Sequence, residues 1–235
     1  LAILISVGLG VGLSLTLFFA VSGWERTRLE AVFREQAEVR ATAIRQRMIV
    51  SLEALSGVVA LYTVSPQVDR QAVFVLARHI RAHYPEIDTI AWAPRMAGSE
   101  EWFPIDGAEP MAENPSLIGL DLSSDPARRL AMAHAWDSGE LVTTGRIRLS
   151  QAAPDQFGIQ AFVPVLRRGT APDAARREDL LGLVTAVFRV GDLVKLSLIG
   201  LKPGLVDVLL ADETAAPDER VLYQHQSHTP LPRTP

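Results

Sequence analysis

The first 23 residues, LAILISVGLGVGLSLTLFFAVSG, contain no charged side chain. A helix of about 20 apolar residues is long enough to cross the hydrocarbon core of a bilayer. Trp24 follows directly, in the place where aromatic side chains anchor a helix at the membrane surface, and charged residues come next. The pattern therefore predicts a transmembrane helix over residues 1–23. A cleaved signal peptide is the alternative, although its apolar core usually spans only about 7–15 residues.

The pattern then becomes that of one amphipathic helix. Between residues 25 and 62 there is no proline and a single glycine, Gly57, while apolar residues recur every three to five positions from Leu29 to Tyr62. This spacing predicts a continuous rod over residues 24–65 that ends at Ser65-Pro66. The apolar stripe can pack on the domain that follows or on the rod of a second copy. We expect both, and hence a homodimer.

A globular region follows, in which helices come before strands. Asp69 can cap a second helix that runs to about His83, and residues 87–94, IDTIAWAP, have the composition of a strand. Asp125-Pro126 is a start signal for a third helix, and Gly139 is its stop signal. This helix is rich in alanine, which lets a helix lie close against a sheet.

Three strands are predicted next, at residues 141–150, 157–167 and 180–190, with loops that suit antiparallel neighbours. Successive residues of a strand point to opposite faces of its sheet. In the second strand one face is a hydrophobic seam of Ile159, Ala161, Val163 and Val165. In the third strand Leu183, Thr185 and Val187 alternate with Val184, Ala186 and Phe188. Gln160 and Phe162 lie on a face of mixed polarity, which is typical of a pocket wall.

From Gly191 the pattern predicts a short helix and two further strands, near residues 205–212 and 221–223. The proline-rich end, HQSHTPLPRTP, does not suit a regular element. We therefore expect a second, incomplete small domain over residues 191–235. The fold class predicted for the whole chain is α+β.

Composition narrows the range of functions. Hydrophobic residues make up 48% of the chain, which is enough for a buried core, and a net charge of −4 gives no basic surface for nucleic acid. The chain has no cysteine, which excludes disulfides, thiolate metal sites and a cysteine nucleophile. His79 and His83 are one helical turn apart, but without an evident third ligand we favour a solvated helix end over a metal site. We expect no cofactor.

Charged residues cluster in GLDLSSDPARRLAMAHAWDSGE, residues 119–140. Asp125 is explained as a helix cap, and Asp121 has no carboxylate partner at a fixed spacing. Arg128 and Arg129 either bind an anionic ligand or pair with Asp125 one turn back, and we favour the local pair. No set of residues in the chain forms a catalytic site.

Several segments occur in a characteristic order. They are HYPEIDTIAWAPRM, ENPSLIGLDLSSDPARRLAMAHAWDSGE, TTGRIRLSQ, FGIQAFVPV and GLVTAVFRVGDLV. This ordered set resembles the CHASE domain, a sensory domain found outside the membrane in histidine kinases and nucleotide cyclases. The resemblance covers roughly residues 25–223. The connection after the WAPR motif, near residues 96–100, is shorter than is usual for the family.

The resemblance implies a long amino-terminal helix followed by two PAS-like subdomains with antiparallel sheets. The membrane-distal subdomain, residues 66–190, would bind a small molecule, and the membrane-proximal one, residues 191–235, would be truncated. It also implies that the chain lies in the cell inner membrane with its globular region facing the periplasm. The segment itself would be non-catalytic.

The same resemblance implies a set of ligand-binding residues. In the family pattern, which includes the plant cytokinin receptors, the pocket is lined by the counterparts of Trp92, Ser138, Thr144, Gln160, Phe162, Ala186 and Phe188. Glu113 is the nearest counterpart of an acidic ligand contact in those receptors.

Our leading hypothesis is the ligand-sensing domain of a bacterial transmembrane receptor, acting as a dimer. A ligand-free scaffolding module of a membrane complex is the first alternative. A membrane-anchored hydrolase that uses Asp121 is the second, and it would need another carboxylate or a metal within reach of Asp121.

Overall fold

A computed structural model of the chain describes residues 2–64, 70–96, 102–149, 156–167, 179–202 and 206–226. The helices within these ranges are α1 (Ala2–Val64), α2 (Arg70–His83), α3 (Pro126–Ser138) and α4 (Val190–Leu198). The strands are β1 (Ile87–Pro94), β2 (Gly107–Glu109), β3 (Val142–Thr143), β4 (Ile147–Arg148), β5 (Phe157–Leu166), β6 (Leu180–Arg189), β7 (Val208–Ala211) and β8 (Val221–His225). Two short 3₁₀ turns occupy Pro115–Leu117 and Leu122–Ser124.

Helix α1 is a single unbroken rod of 63 residues, about 95 Å long at 1.5 Å per residue. The continuous rod predicted from the spacing of apolar residues is thus confirmed. Among the described residues, none of the helices holds a stretch both long and apolar enough to span a bilayer. The transmembrane segment expected over residues 1–23 stays a prediction. The predicted stop at Ser65-Pro66 and the Asp69 cap lie outside the described residues, as does the connection over residues 97–101.

The main sheet has six strands in the order β2-β1-β6-β5-β3, and β4 also pairs with β5. All these pairs are antiparallel. The strands predicted at residues 87–94, 157–167 and 180–190 are confirmed as β1, β5 and β6. The single strand predicted over residues 141–150 is instead two short strands, because the Thr144-Gly145-Arg146 bend interrupts it. Strand β2 has only three residues, too few for a recognisable alternation.

One face of the sheet is covered by α1 and α2. Leu55 and Val58 of α1 are buried there together with Val73, Ala77 and Ile80 of α2. The sheet contributes the hydrophobic seam that its alternation predicted, including Ile159, Ala161, Val165, Val184, Ala186 and Phe188. Tyr62 stacks on Trp92 at this face, with ring centroids 4.2 Å apart. Burial of apolar area, at about 25 cal/mol per Å², holds the end of the rod on the sheet.

The opposite face is covered by the chain between β1 and β3. Phe103, Ile105 and Leu122 pack on it together with Ala131, Met132 and Ala135 of α3. The small alanine side chains bring α3 close to the strands, as its composition predicted. The predicted caps are confirmed: Asp125 Oδ1 accepts a hydrogen bond from Arg128 N at 2.9 Å, and Gly139 adopts a left-handed φ of 70°. A glycine reaches this conformation without the steric cost that a side chain would add.

A third cluster joins the rod to the carboxyl-terminal elements. Ile44 of α1 packs against Leu193 and Val194 of α4, and side chains of the β7–β8 hairpin join them. Arg146 donates hydrogen bonds to the backbone oxygens of Val221 and Asp218, both at 3.3 Å. The hairpin is therefore tied to the main sheet and to α1. The division into subdomains at residue 191 stays a prediction.

Candidate ligand-binding site

A cleft lies on the sheet face opposite α1, between the strands and the chain that covers them. Its outer chamber has a volume of about 270 Å³ and its inner chamber about 50 Å³. Both chambers are lined by Thr89, Leu117, Arg128 and Val187, so they adjoin one another. Small-molecule sites typically have volumes of about 300–1,000 Å³. The combined volume of the two chambers lies at the lower end of this range, which suits a small ligand.

The inner chamber combines apolar walls with a few polar groups. Ala91, Ile105, Leu120 and Leu122 form its apolar part, and Gln160 and Thr185 add polar atoms from the floor. Antiparallel pairing places these floor residues on one face, because residues opposite each other in neighbouring strands point the same way. Gln160 is opposite Val187, and Phe162 is opposite Thr185.

Gln160 presents an oxygen without a hydrogen-bond partner. Its side chain is almost fully buried, with 3% exposure. Thr185 Oγ1 donates to the backbone oxygen of Ala161 at 2.8 Å and must therefore accept from Gln160 Nε2, which lies 2.9 Å away. This pair of bonds fixes the orientation of the amide. Gln160 Oε1 is left buried and without a partner, a state that costs about 1–3 kcal/mol unless something binds to it.

Arg128 lies at the junction of the two chambers. Its backbone N–H donates to Asp125 Oδ1, so this carboxylate caps α3 and does not pair with the guanidinium. In the described part of the chain Arg128 makes no ion pair, and its Nε is buried without a hydrogen-bond partner. The local Arg128–Asp125 pair favoured from the sequence is therefore wrong. The other alternative, a guanidinium that faces an anionic ligand, remains.

The mouth of the outer chamber is more polar. Arg189 Nη1 donates to Asp88 Oδ1 at 2.8 Å, and Arg189 Nε lies 2.7 Å from Asp192 Oδ2. Asn114 Nδ2 donates to Pro110 O at 3.1 Å and lies 3.4 Å from Thr89 Oγ1. These bonds hold the wall of the chamber in place.

Asp121 organises the cover of the inner chamber. Its Oδ1 accepts from the backbone N–H groups of Phe103 and Ser123, both at 3.0 Å, and its Oδ2 accepts from Ser123 Oγ at 2.6 Å. Burial raises the pKa of this carboxyl group, but the hydrogen bonds from Ser123 and Phe103 outweigh burial and hold the pKa below its ordinary value. The carboxylate is thus engaged in holding the loop.

We expect Asp121→Asn to destabilise the protein at pH 7 by about 1 kcal/mol, because an amide replaces a charged acceptor. Since the folded-state pKa is lowered, the stabilisation is complete above the ordinary carboxyl pKa of about 4 and is lost as the pH falls through the folded-state pKa. Urea unfolding at pH 7 and at pH 3 measures this, with Asp137→Asn as an exposed control. A difference between wild type and Asp121→Asn that grows towards pH 3 would contradict the assignment.

The model of the CHASE domain family matches residues 66–223, about two thirds of the chain. The chain belongs to the CHASE domain family. This confirms the resemblance seen in the order of its sequence motifs. Among the curated proteins, none matches this sequence.

Solved structures similar to this CHASE domain have low sequence identity to it. One is the ligand-binding domain of the Pseudomonas aeruginosa amino acid chemoreceptor PctC in complex with GABA, with a TM-score of 0.51 and 13% identity over 77% of this chain and 73% of that one. The periplasmic domain of Chlamydia trachomatis RsbU follows at 0.49, with 14% identity over 84% of this chain and 63% of that one. The Campylobacter jejuni chemoreceptor Tlp3 with L-norvaline has a TM-score of 0.49 and 8% identity over 83% and 70% of the chains. Family and fold together support an extracytoplasmic ligand-sensing domain.

Two of the expected ligand-binding residues of the CHASE domain line the cleft. Glu113 lines the outer chamber and Gln160 the inner one. Phe162 shares the face of Gln160, but it is fully buried in the core beneath the cover. Thr144 is buried at the neighbouring edge, where its hydroxyl accepts from Gln160 N at 3.0 Å. Ser138 is exposed at the end of α3, and its hydroxyl donates to His134 O.

Trp92, Ala186 and Phe188 lie on the other face of the sheet, in the core under α1 and α2. The reason is the register of β5 and β6. Ala186 is opposite Ala161, whose face is the hydrophobic seam, so Thr185 and Val187 are the residues of β6 that share the face of Gln160. A shift of one residue in pairing moves every side chain to the opposite face. The alternation in the sequence identified both faces of β6 but did not determine which of them shares the face of Gln160.

The paired histidines are placed as the sequence analysis favoured. His79 and His83 are exposed near the end of α2, and His83 Nδ1 lies 2.9 Å from His79 O. Among the residues that the structure describes, no group of three or more potential ligands could hold a metal ion.

Proposed function

We propose that this CHASE domain senses a small polar molecule that binds in the cleft, and that binding alters how the sheet packs against α1. The observation that carries the proposal is the inner chamber, whose lining includes Gln160, a residue with a buried Oε1 that has no hydrogen-bond partner. Native cores rarely retain such atoms, because an unsatisfied buried acceptor destabilises the fold. A bound molecule that donates a hydrogen bond to this oxygen would remove that cost.

The path from the cleft to the rod supports the sensing part of the proposal. Thr185 and Val187 face the cleft, while their neighbours Ala186 and Phe188 face the cluster that contains Leu55 of α1. A ligand shifts a conformational equilibrium only by its differential affinity for the two states. Only one layer of strands separates the cleft from α1. A change in the packing of these strands on ligand binding would therefore act directly on α1.

The test is a thermal-shift screen of the purified chain with amino acids, GABA, short carboxylates and purine bases. A compound at about 100 times its dissociation constant stabilises by about 2.7 kcal/mol, or roughly 5–10 °C for a chain of this size. Val187→Trp fills the cleft from the strand that lines both chambers, and we expect it to abolish the shift.

The control is Leu209→Trp, which places the same large side chain on an exposed position of β7. We expect this variant to keep the shift. A shift that survives Val187→Trp would show that binding occurs elsewhere. If no compound in a broad metabolite panel stabilises the wild-type chain, the scaffolding alternative is favoured.

We also propose that the domain belongs to a dimeric receptor, anchored by residues 1–23 in the inner membrane and coupled to a histidine kinase or nucleotide cyclase. The uncharged sequence of residues 1–23 supports the anchor. Large apolar side chains exposed along α1 support the dimer; they are Leu29, Val32, Phe33 and Val39. Sedimentation velocity of the purified chain in detergent tests the dimer, and a mass of one protomer would contradict it.

A further inference from the structure

The hydrogen-bonding groups that line the inner chamber are nearly all occupied. Thr185 Oγ1 accepts from Gln160 and donates to Ala161 O, and Thr89 Oγ1 donates to Asp88. Within the described lining, two buried atoms have no hydrogen-bond partner: the acceptor Gln160 Oε1 and the donor Arg128 Nε. A complementary ligand therefore carries one donor and one acceptor.

The ligand group that donates a hydrogen bond to Gln160 Oε1 is expected to be uncharged. The described lining of the inner chamber includes no carboxylate, and its walls are largely apolar. An ammonium group brought there would hold three donors and a full charge against one free amide oxygen. Burying a charge without a counter-charge costs far more than burying a neutral hydroxyl that makes its hydrogen bond. A hydroxyl group fits the 50 Å³ of this chamber.

The ligand group that accepts a hydrogen bond from the Arg128 guanidinium is expected to be an anion. Arg128 makes no ion pair within the described residues, and Asp125 Oδ1 accepts a hydrogen bond from its backbone N–H. The described lining of the outer chamber holds three arginines, Arg128, Arg148 and Arg189, against the two carboxylates of Asp88 and Glu113. Arg189 is paired with Asp88 and Asp192, whereas Arg128 has no ion pair within the described residues, and a guanidinium binds a carboxylate with two parallel hydrogen bonds.

We propose that the ligand is a small hydroxycarboxylate, whose hydroxyl donates to Gln160 Oε1 while its carboxylate accepts from Arg128. The inference rests on the proposed function, because it names the chemical class of molecule that the cleft senses. The hydroxyl occupies the inner chamber, the carboxylate lies at the junction, and any further carbon atoms extend into the outer chamber.

Isothermal titration calorimetry of the full chain with L-lactate, D-lactate, propionate and L-alanine tests this assignment. These compounds share a three-carbon carboxylate and differ at one position, which carries a hydroxyl, a hydrogen or an ammonium group. We expect the better lactate enantiomer to bind at least about 10-fold more tightly than propionate or alanine, since each of these leaves Gln160 Oε1 unpaired or adds an uncompensated charge. Equal affinities, or tighter binding of alanine, would overturn the proposal.

Two variants test whether Gln160 contacts the ligand hydroxyl and whether Arg128 contacts the ligand carboxylate. Gln160→Glu replaces the neutral acceptor by a carboxylate, so we expect the preference to reverse in favour of alanine. Arg128 is half-buried in the otherwise exposed first turn of α3, and thermal unfolding without ligand checks that Arg128→Gln folds. We expect it to abolish the preference of the wild-type chain for lactate over the uncharged lactamide, and a retained preference would overturn the role of Arg128.

The outcome separates this inference from the proposed function. One outcome is that other compounds in the panel stabilise the wild-type chain but not Val187→Trp, while lactate and glycolate do not bind. In that case the hydroxycarboxylate assignment is wrong, and the proposal of a sensory cleft is retained. If no panel compound gives a shift that Val187→Trp abolishes, both fail.

Discussion

Replacing Arg47 by methionine is expected to destabilise the domain by about 3–5 kcal/mol, because it leaves a buried carboxylate without its cationic partner. Glu86 is fully buried at the turn before β1, and its Oε2 accepts from Arg47 Nη2 at 2.8 Å. Glu86 Oε1 has no partner of its own. Methionine keeps much of the apolar volume of arginine, so the loss reports the charge and not a cavity. Urea unfolding followed by circular dichroism measures it.

The matched control is Glu86→Gln in the Arg47→Met background. A neutral amide in the buried position no longer requires a cation, so we expect the double variant to regain about 1–2 kcal/mol relative to Arg47→Met. Comparison of the double variant with Arg47→Met separates the effect of the unpaired charge on stability from the effect of lost packing. A double variant less stable than Arg47→Met, or an Arg47→Met protein within about 0.5 kcal/mol of wild type, would mean that this ion pair does not hold α1 on the sheet.

Replacing Phe188 by alanine is the second large change, with an expected loss of about 3–5 kcal/mol. Phe188 is 1% exposed in the cluster between the sheet and the helices, opposite Ile159 in the neighbouring strand. Because it faces α1 and not the cleft, we expect the dissociation constant of a cleft ligand to change by less than about threefold. Urea unfolding and calorimetry, the latter well below the unfolding temperature, measure the two effects.

Phe188→Leu is the milder control for this experiment. It retains most of the apolar volume, so its stability cost should be well below that of the alanine variant. If both Phe188 variants weaken binding more than tenfold while remaining folded, Phe188 contacts the ligand as the family resemblance implied. The register of β5 and β6 would then differ in the bound state.

The sequence predicted those parts of the fold that depend on local patterns, namely the alternation of buried residues along a strand and the residues that cap a helix. Alternation in β5 and β6 separated Gln160 from Ala161, and Ala186 from Thr185, because burial repeats every second residue. Asp125 and Gly139 delimited α3, since caps are local chemistry. The unbroken α1 followed from the absence of proline and from its apolar spacing.

The cleft depended on relations that the sequence did not contain. The sequence predicted the Asp125 cap, but only the structure places Arg128 at the junction of the two chambers. Which face of the sheet meets α1 is set by register across three strands and by packing of the whole chain. The cover over residues 102–122 has little regular structure, so its contacts with the sheet had no periodic pattern to reveal them.

Helix α1 contacts the rest of the domain as far as Arg40, whose Nη2 donates to Lys202 O at 2.8 Å. From there to Ala2 the helix extends for about another 55 Å. A tilt of 2° about that contact would displace the far end by roughly 2 Å, the scale of helix movements in known switching proteins. Under the proposed function, α1 would act as a lever that pivots near its Arg40–Lys202 contact, and a shorter helix would give a proportionally smaller displacement of its far end.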